Sequence, residues 1–272
     1  MNGAMGFARL SLLGVFLVAG FLAGPPAFGQ GTLSPDDAQR YNDCMAEARS
    51  VPAKGYNEAI AWQKQGGGAA AGHCAAVALI GLGRYTPAAQ SLEKLAAGEA
   101  KARPDLAAGL YGQAAQAWVL ANNNKSALKD QNAGLKLAPA NVDLLTDRGV
   151  VLAATGKYWE AIDDFNKAHD LAQTRTDILT YRASAYRLLQ SLDLASDDIA
   201  EAIRLDPKNA DAYLERGIIR RLKNDIAGAR ADWQKTMSLG AGTPAADEAA
   251  ANLSQLDQPA PQTPPAPPPP TP

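Results

Sequence analysis

The chain has 272 residues, 47% of them hydrophobic and 20% charged, with 26 Lys and Arg against 28 Asp and Glu. That length and apolar content suffice for a substantial core in one or two domains. A formal net charge of -2 produces no global field that would draw nucleic acid or an anionic membrane, so a generic polyanion binder is excluded.

The first thirty residues read as an export signal. Arg9 precedes an apolar run from Leu10 to about Ala23, followed by Pro25, Pro26 and the small-x-small triplet Ala27, Phe28, Gly29. This is the pattern of a signal peptide over 1–29, cleaved before Gln30. The apolar run is short for a membrane span. An uncleaved signal would instead anchor the chain to an inner membrane. With cleavage, the expectation is an exported, periplasmic protein with no membrane span.

Residues 34–68 contain two helical stretches, "DDAQRYNDCMAEARS" and "PAKGYNEAIAWQK", with Ala59 a candidate for close packing. The only two cysteines, Cys44 and Cys74, fall in apparent helices, and in an oxidising compartment such a pair is most simply a disulfide. The other reading is a metal site formed with His73. Adjacent His and Cys point to different faces of a helix, and no fourth ligand is evident. Gly66–Gly68 read as a turn; no Lys-Ser/Thr pair follows to make a phosphate loop.

From residue 69 the chain repeats. Small residues stand at Ala88, Ala127, Ala161, Ala195 and Ala229, separated by 39, 34, 34 and 34 positions. Twelve residues before each lies another: Ala76, Ala115, Gly149, Ala183 and Gly217. Two ladders of small side chains at one period are what helix pairs need where their backbones cross closely. Larger residues fill the rest, among them Leu92, Phe165, Ile199 and Trp233 on the second helices. The turns fall at "GLGRY", "ANNNK", "ATGKY" and "QSLDL", and Pro139 and Pro207 end copies. Gln131, Gly134 and Arg220 depart from the pattern, so units two and five are expected to pack loosely or to serve a partner. A final segment, "PAADEAAANLSQL", reads as a capping helix.

This pattern resembles the tetratricopeptide repeat, with its 34-residue period and alternating aromatic and small positions: Gly149, Tyr158, Ala161, Phe165 and Ala168 in one unit, Ala183, Tyr186, Ala195, Ala202 and Pro207 in the next. The leading segment resembles the start of exported repeat proteins from alphaproteobacteria. The resemblance implies an all-α fold, a right-handed superhelical solenoid of antiparallel helix pairs. It would comprise about five repeats over 69–256, a degenerate N-terminal pair and the C-terminal cap.

Within the array, Arg148, Arg182 and Arg216 recur at 34, and Asp164, Asp198 and Asp232 follow each by sixteen. Each Arg precedes a crossing residue and each Asp precedes a bulky core residue. Three ion pairs are therefore expected at the helix interfaces, where guanidinium and carboxylate can form two parallel hydrogen bonds.

The family resemblance puts the first helix of each pair on the concave side of the stack. The lining residues would then include Gln116, Val119, Asp143, Asp147, Val150, Thr180, Ser184, Arg187, Asp211, Glu215, Ile218 and Arg221. The mixture suits a peptide or protein segment. The family's carboxylate clamp, a Lys, Asn and Arg set on successive first helices, is not matched. No cofactor motif, GxSxG, HExxH or dinucleotide glycine pattern is present, and the two histidines, His73 and His169, form no catalytic set. The expectation is a non-enzymatic envelope adaptor. A structural protein that self-associates through repeat ends, using Tyr213, Trp233 and the cap, is the second reading.

After Asp257 the sequence "PAPQTPPAPPPPTP" has nine prolines in fourteen residues and no charge. It reads as an extended polyproline II tail over 257–272, a spacer or a docking peptide reaching roughly 40 Å at about 3.1 Å per residue.

Overall fold

The computed structural model describes residues 33–257. The segment read as an export signal and the proline-rich segment after Asp257 lie outside the described residues. Thirteen α-helices and no strand are found among the described residues. They are α1 (Pro35–Ser50), α2 (Pro52–Lys64), α3 (Gly68–Gly81), α4 (Tyr85–Glu99), α5 (Pro104–Leu120), α6 (Asn124–Leu137), α7 (Val142–Ala154), α8 (Tyr158–Leu171), α9 (Thr176–Leu188), α10 (Leu192–Leu205), α11 (Ala210–Leu222), α12 (Ile226–Leu239) and α13 (Pro244–Asp257). Helices α3 to α12 form five hairpins in succession, α1 and α2 precede them, and α13 follows.

Every hairpin turn is built the same way. A single left-handed residue stands five positions before the crossing alanine of the second helix: Gly83, Asn122, Gly156, Gln190 and Asn224. The next amide then donates to the carbonyl five residues back, Arg84 to Leu79, Asn123 to Trp118, Lys157 to Leu152, Ser191 to Tyr186 and Asp225 to Arg220. This closure satisfies the carbonyls at the end of the first helix and reverses the chain in a fixed direction. Asn123 and Asp225 go on to cap the second helices of their own hairpins with their side chains.

The crossing residues are all buried, and their size follows what lies across from them. In each unit the first-helix residue faces the core residue sixteen positions later. A β-carbon at Gly149 would stand 2.5 Å from the Phe165 ring, and one at Gly217 would stand 2.4 Å from Trp233 Nε1. Neither can be accommodated without a shift. Where the second-helix residue is not aromatic, at Leu92, Gln131 and Ile199, the first-helix position is Ala76, Ala115 and Ala183. Gly134, unpromising as a core residue, lets α6 approach its neighbours: a β-carbon there would stand 2.9 Å from Leu144 and 3.2 Å from the Ala108 carbonyl.

First helices of adjoining units pack directly on one another, as α7 does on α9 and α9 on α11, more closely than the second helices do. A stack tighter on one side bends toward that side, so the first helices line its concave face. Both ends of the described stack are covered. At one end α1 and α2 pack on α3, and the Cys44–Cys74 disulfide joins α1 to α3 with their Cα atoms 6.1 Å apart. At the other, α13 lays Ala245 and Ala249 over Leu214, Ala229 and Trp233. Trp233 is fully buried, so it presents no repeat end for self-association.

Candidate binding groove

The ladder pairs form between the two helices of one hairpin. Arg148 donates from Nε and Nη2 to the two oxygens of Asp164, both at 2.7 Å; Arg182 does the same to Asp198 at 2.8 and 2.6 Å, and Arg216 to Asp232 at 2.9 and 2.7 Å. The third arm reaches the preceding unit. Arg148 Nη1 donates to Asn132 Oδ1 at 2.7 Å and Arg182 Nη1 to Asn166 Oδ1 at 2.9 Å. Each of these two guanidiniums thus fastens its own second helix to the one before it. Asp198 and Asp232 hold the protonated Arg182 and Arg216 even more firmly than usual. In unit five the unexpected Arg220 has a structural partner, since its Nη1 donates to Asp232 Oδ2 at 2.8 Å.

Unit two breaks the ladder. Asp130 lies three residues after Ala127, as Asp164 lies three after Ala161, but the arginine position is Ala114. Asp130 is buried and neither carboxylate oxygen accepts a hydrogen bond. The position that is Asn132 or Asn166 in later units is Glu93 here, so two carboxylates face a missing guanidinium. Glu93 accepts from Lys129 at 3.1 Å and from Trp118 Nε1 at 3.3 Å, while Lys129 stays 3.9 Å from Asp130. Burial, reinforced by Glu93, pushes the Asp130 acid up to about 7.

At the N-terminal end, Tyr41 Oη lies 2.6 Å from His73 Nδ1, and His73 Nε2 lies 2.6 Å from Gln113 Oε1. Both ring nitrogens are engaged and both cysteine sulfurs are in the disulfide, so these residues form no metal site. Burial drives the His73 pKa down to about 4 and keeps the ring neutral. Among the described residues there is no group of three or more His, Cys, Asp and Glu that could hold a metal ion. No helix among them is long and apolar enough to cross a membrane.

The twelve groove residues divide when placed on the stack. Gln116, Val119, Asp147, Val150, Arg187, Asp211, Ile218 and Arg221 are partly exposed and Asp143 is exposed. Thr180, Ser184 and Glu215 are buried. The Thr180 hydroxyl donates to the Thr176 carbonyl of its own helix, and Glu215 accepts from Arg187 across adjoining first helices, where it holds the stack. Arg175, overlooked in the sequence, bridges Asp143 and Asp177.

The remaining groove carboxyls, Asp147, Asp211 and Glu248, form no salt bridge among the described residues, although Arg175 lies near enough to favour the charged form of Asp147 and Arg187 that of Glu248. Burial pushes the Asp147 acid up to about 6 against the hydrogen bond from Gln116, with Asp143 adding to the rise. Asp211 is raised by burial alone, and Glu248 on α13 by burial and by Glu215. Burial and the charge of Asp177 likewise raise Tyr181. The contribution of α13 and of Tyr181 was not legible, because each depends on which face of a helix the stack leaves open. A small depression is lined by Gln116, Val119, Gln131, Asp147, Val150, Val151 and Tyr181. A separate one, beside Trp62 and Gly66–Gly68, lies at the N-terminal end.

No family model matches the chain. RNA polymerase II-associated protein 3 of Xenopus laevis is 34% identical over 87 residues, covering 32% of this chain and 13% of that protein; the Rattus norvegicus protein is 31% identical over 125 residues, covering 46% and 18%. The chain therefore spans less than a fifth of the length of these relatives. Tetratricopeptide repeat protein 36 homolog of Drosophila melanogaster is 28% identical over 121 residues, covering 43% of this chain and 64% of that one. Among solved structures, the C-terminal part of a TPR repeat-containing protein from Cytophaga hutchinsonii superposes with a TM-score of 0.60 at 13% identity, over 80% of this chain and 95% of that one. YrrB, described as a TPR protein with an unusual peptide-binding site, gives 0.51 at 20% identity over 71% and 96%. MamA gives 0.52 at 16% identity over 65% and 96%. The recurring turn closure, the crossing residues and these superpositions agree that the chain has the fold of a tetratricopeptide-repeat solenoid.

Proposed function

We propose that this protein is a non-enzymatic scaffold whose concave face binds an extended peptide or protein segment. The supporting observation is the division of labour among its polar groups. The ladder arginines are all engaged within or between the hairpins, whereas Gln116, Asp147, Val150, Asp211 and Ile218 remain partly exposed along the first helices. A continuous strip that mixes apolar and hydrogen-bonding groups suits main-chain and side-chain contacts with an extended chain. YrrB, which shares the fold, is described as having a peptide-binding site. The candidate export signal and the disulfide suit an oxidising compartment, and the reading is of an adaptor in the cell envelope.

Panning a random heptapeptide library against the full chain tests the groove. Selected peptides should bind the protein, and Val150→Glu should weaken them at least tenfold while Trp159→Ala, on the second-helix side, leaves them unchanged. Failure to select any peptide, or insensitivity to Val150→Glu, would overturn the reading.

A further inference from the structure

We propose that the edge of the stack that carries the hairpin turns docks on an anionic lipid surface, with Trp159 at the depth of the headgroups. This edge is separate from the concave groove, and the two readings stand or fall independently.

The first observation is where the exposed apolar side chains lie. Eight large apolar residues are exposed among the described residues, and five of them, Leu82, Trp159, Leu194, Leu222 and Ile226, stand within four positions of the left-handed residue of a hairpin turn. A sixth, Val51, lies between α1 and α2, and the contact that a β-carbon at Gly81 would make with Pro52 puts this junction beside the first hairpin turn. Only Leu171 and Met237 stand at the opposite ends of the second helices. Single exposed leucines are ordinary on a protein surface. Six gathered on one edge are a bias, and their exposure means that burial within the stack does not account for it.

The second is the charge between them. Arg84, Lys125 and Lys157, exposed at the first three turns, form no salt bridge among the described residues. Of the acids equally near the turn residues, Asp193 is paired with Lys223 at 2.8 Å and Asp225 lies 3.7 Å from Arg220, which leaves Glu160. The opposite edge mixes both signs, with Asp105 and Asp170 unpaired as well as Lys101 and Lys136. The formal charge of -2 for the whole chain hides this local excess of cations.

Leucine, isoleucine and tryptophan tips interspersed with lysine and arginine are the composition of a membrane interface, where the indole sits among the headgroups and the cations meet anionic lipid. The two depressions described above lie on the concave face and beside Gly66–Gly68. A fluid lipid surface accepts protruding side chains without a pocket, and weak contacts from successive turns add up.

Trp159 is its own reporter: it is 62% exposed, whereas Trp62, Trp118 and Trp233 are buried. The full chain is mixed with vesicles of phosphatidylglycerol and brominated phosphatidylcholine, and tryptophan quenching is read. Quenching should appear, vanish in Trp159→Phe and vanish when phosphatidylglycerol is left out. Lys125→Glu combined with Lys157→Glu should weaken vesicle affinity by about tenfold or more, and Leu171→Glu on the opposite edge should leave it unchanged. Because the signal arises at Trp159, attachment through another segment does not imitate it. Absence of quenching, quenching that persists without the anionic lipid, or indifference to the two lysine reversals would overturn the assignment.

Discussion

Ala114 occupies the position, sixteen residues before Asp130, where Arg148, Arg182 and Arg216 stand before their aspartates. The consequence is a buried carboxyl with no donor, held close to neutral by its surroundings. Its acid stands at about 7 in the folded chain against an ordinary value of 3.8, so between those values the folded state binds more protons than the unfolded one. The stability this group contributes is full below about pH 4 and is lost as pH rises through about 7. Asp130→Asn removes that loss. Thermal melts of the two proteins should nearly coincide at about pH 4 and separate progressively up to pH 8, where the variant is more stable by about 1–3 kcal/mol, the cost of an unmet buried polar group. A constant difference across the range would contradict the assignment.

Arg182 joins three helices: its own, α10 through Asp198 and α8 through Asn166. Its side chain and that of Asp198 are only 15% and 11% exposed. Arg182→Ala leaves an unpaired buried carboxylate and should cost about 3–5 kcal/mol in urea unfolding. Arg182→Met combined with Asp198→Leu should recover most of it, because both charges are then gone. A loss below about 1 kcal/mol for the single variant would mean the pair is no better than an exposed one.

Gly149 lies beneath Phe165, and the added methyl of Gly149→Ala collides with the ring. The expected cost is about 1–3 kcal/mol, as for other overpacked cores. Phe165→Ile in the same chain should relieve the strain of that methyl, since Ala183 already tolerates Ile199 in the next unit. The measurement is the coupling free energy of the double-mutant cycle, which should be favourable and at least about 1 kcal/mol. Additivity would show that ring and methyl do not meet.

Gln190 has φ of 61° in the turn where Gly83 and Gly156 stand in other units. A side chain in that region costs about 1–2 kcal/mol, part of which glycine gives back as unfolded-state entropy. Gln190→Gly should therefore raise the melting temperature slightly, by about 0.5–1 kcal/mol of stability, and Gly156→Gln should lower it.

The parts of this architecture that were legible in the sequence share one property: they repeat. Ala127, Ala161 and Ala195 expose the period, and the sixteen-residue spacing of Arg148 and Asp164 identifies which side chains meet, because both belong to a single hairpin. Contacts between hairpins were harder to read. Arg148 with Asn132 and Arg187 with Glu215 depend on how one unit seats on another, so Glu215 was assigned to the groove although Arg187 holds it in the stack. Gln131 was recognisable as an odd core residue, but its turn toward the concave side depends on the room that α7 and α9 leave. The Asp130 gap did have a signal, the position three after Ala127, which a search for complete Arg and Asp pairs passes over.

The central claim is that the concave side of the stack holds a partner's chain. Photo-crosslinking tests it most directly, with p-benzoylphenylalanine placed at Val150 on the first-helix side or at Trp159 on the second, and a peptide selected by panning as the target. The account expects adducts from position 150 and none from 159. Adducts from 159 alone would place the peptide on the outer surface and contradict it.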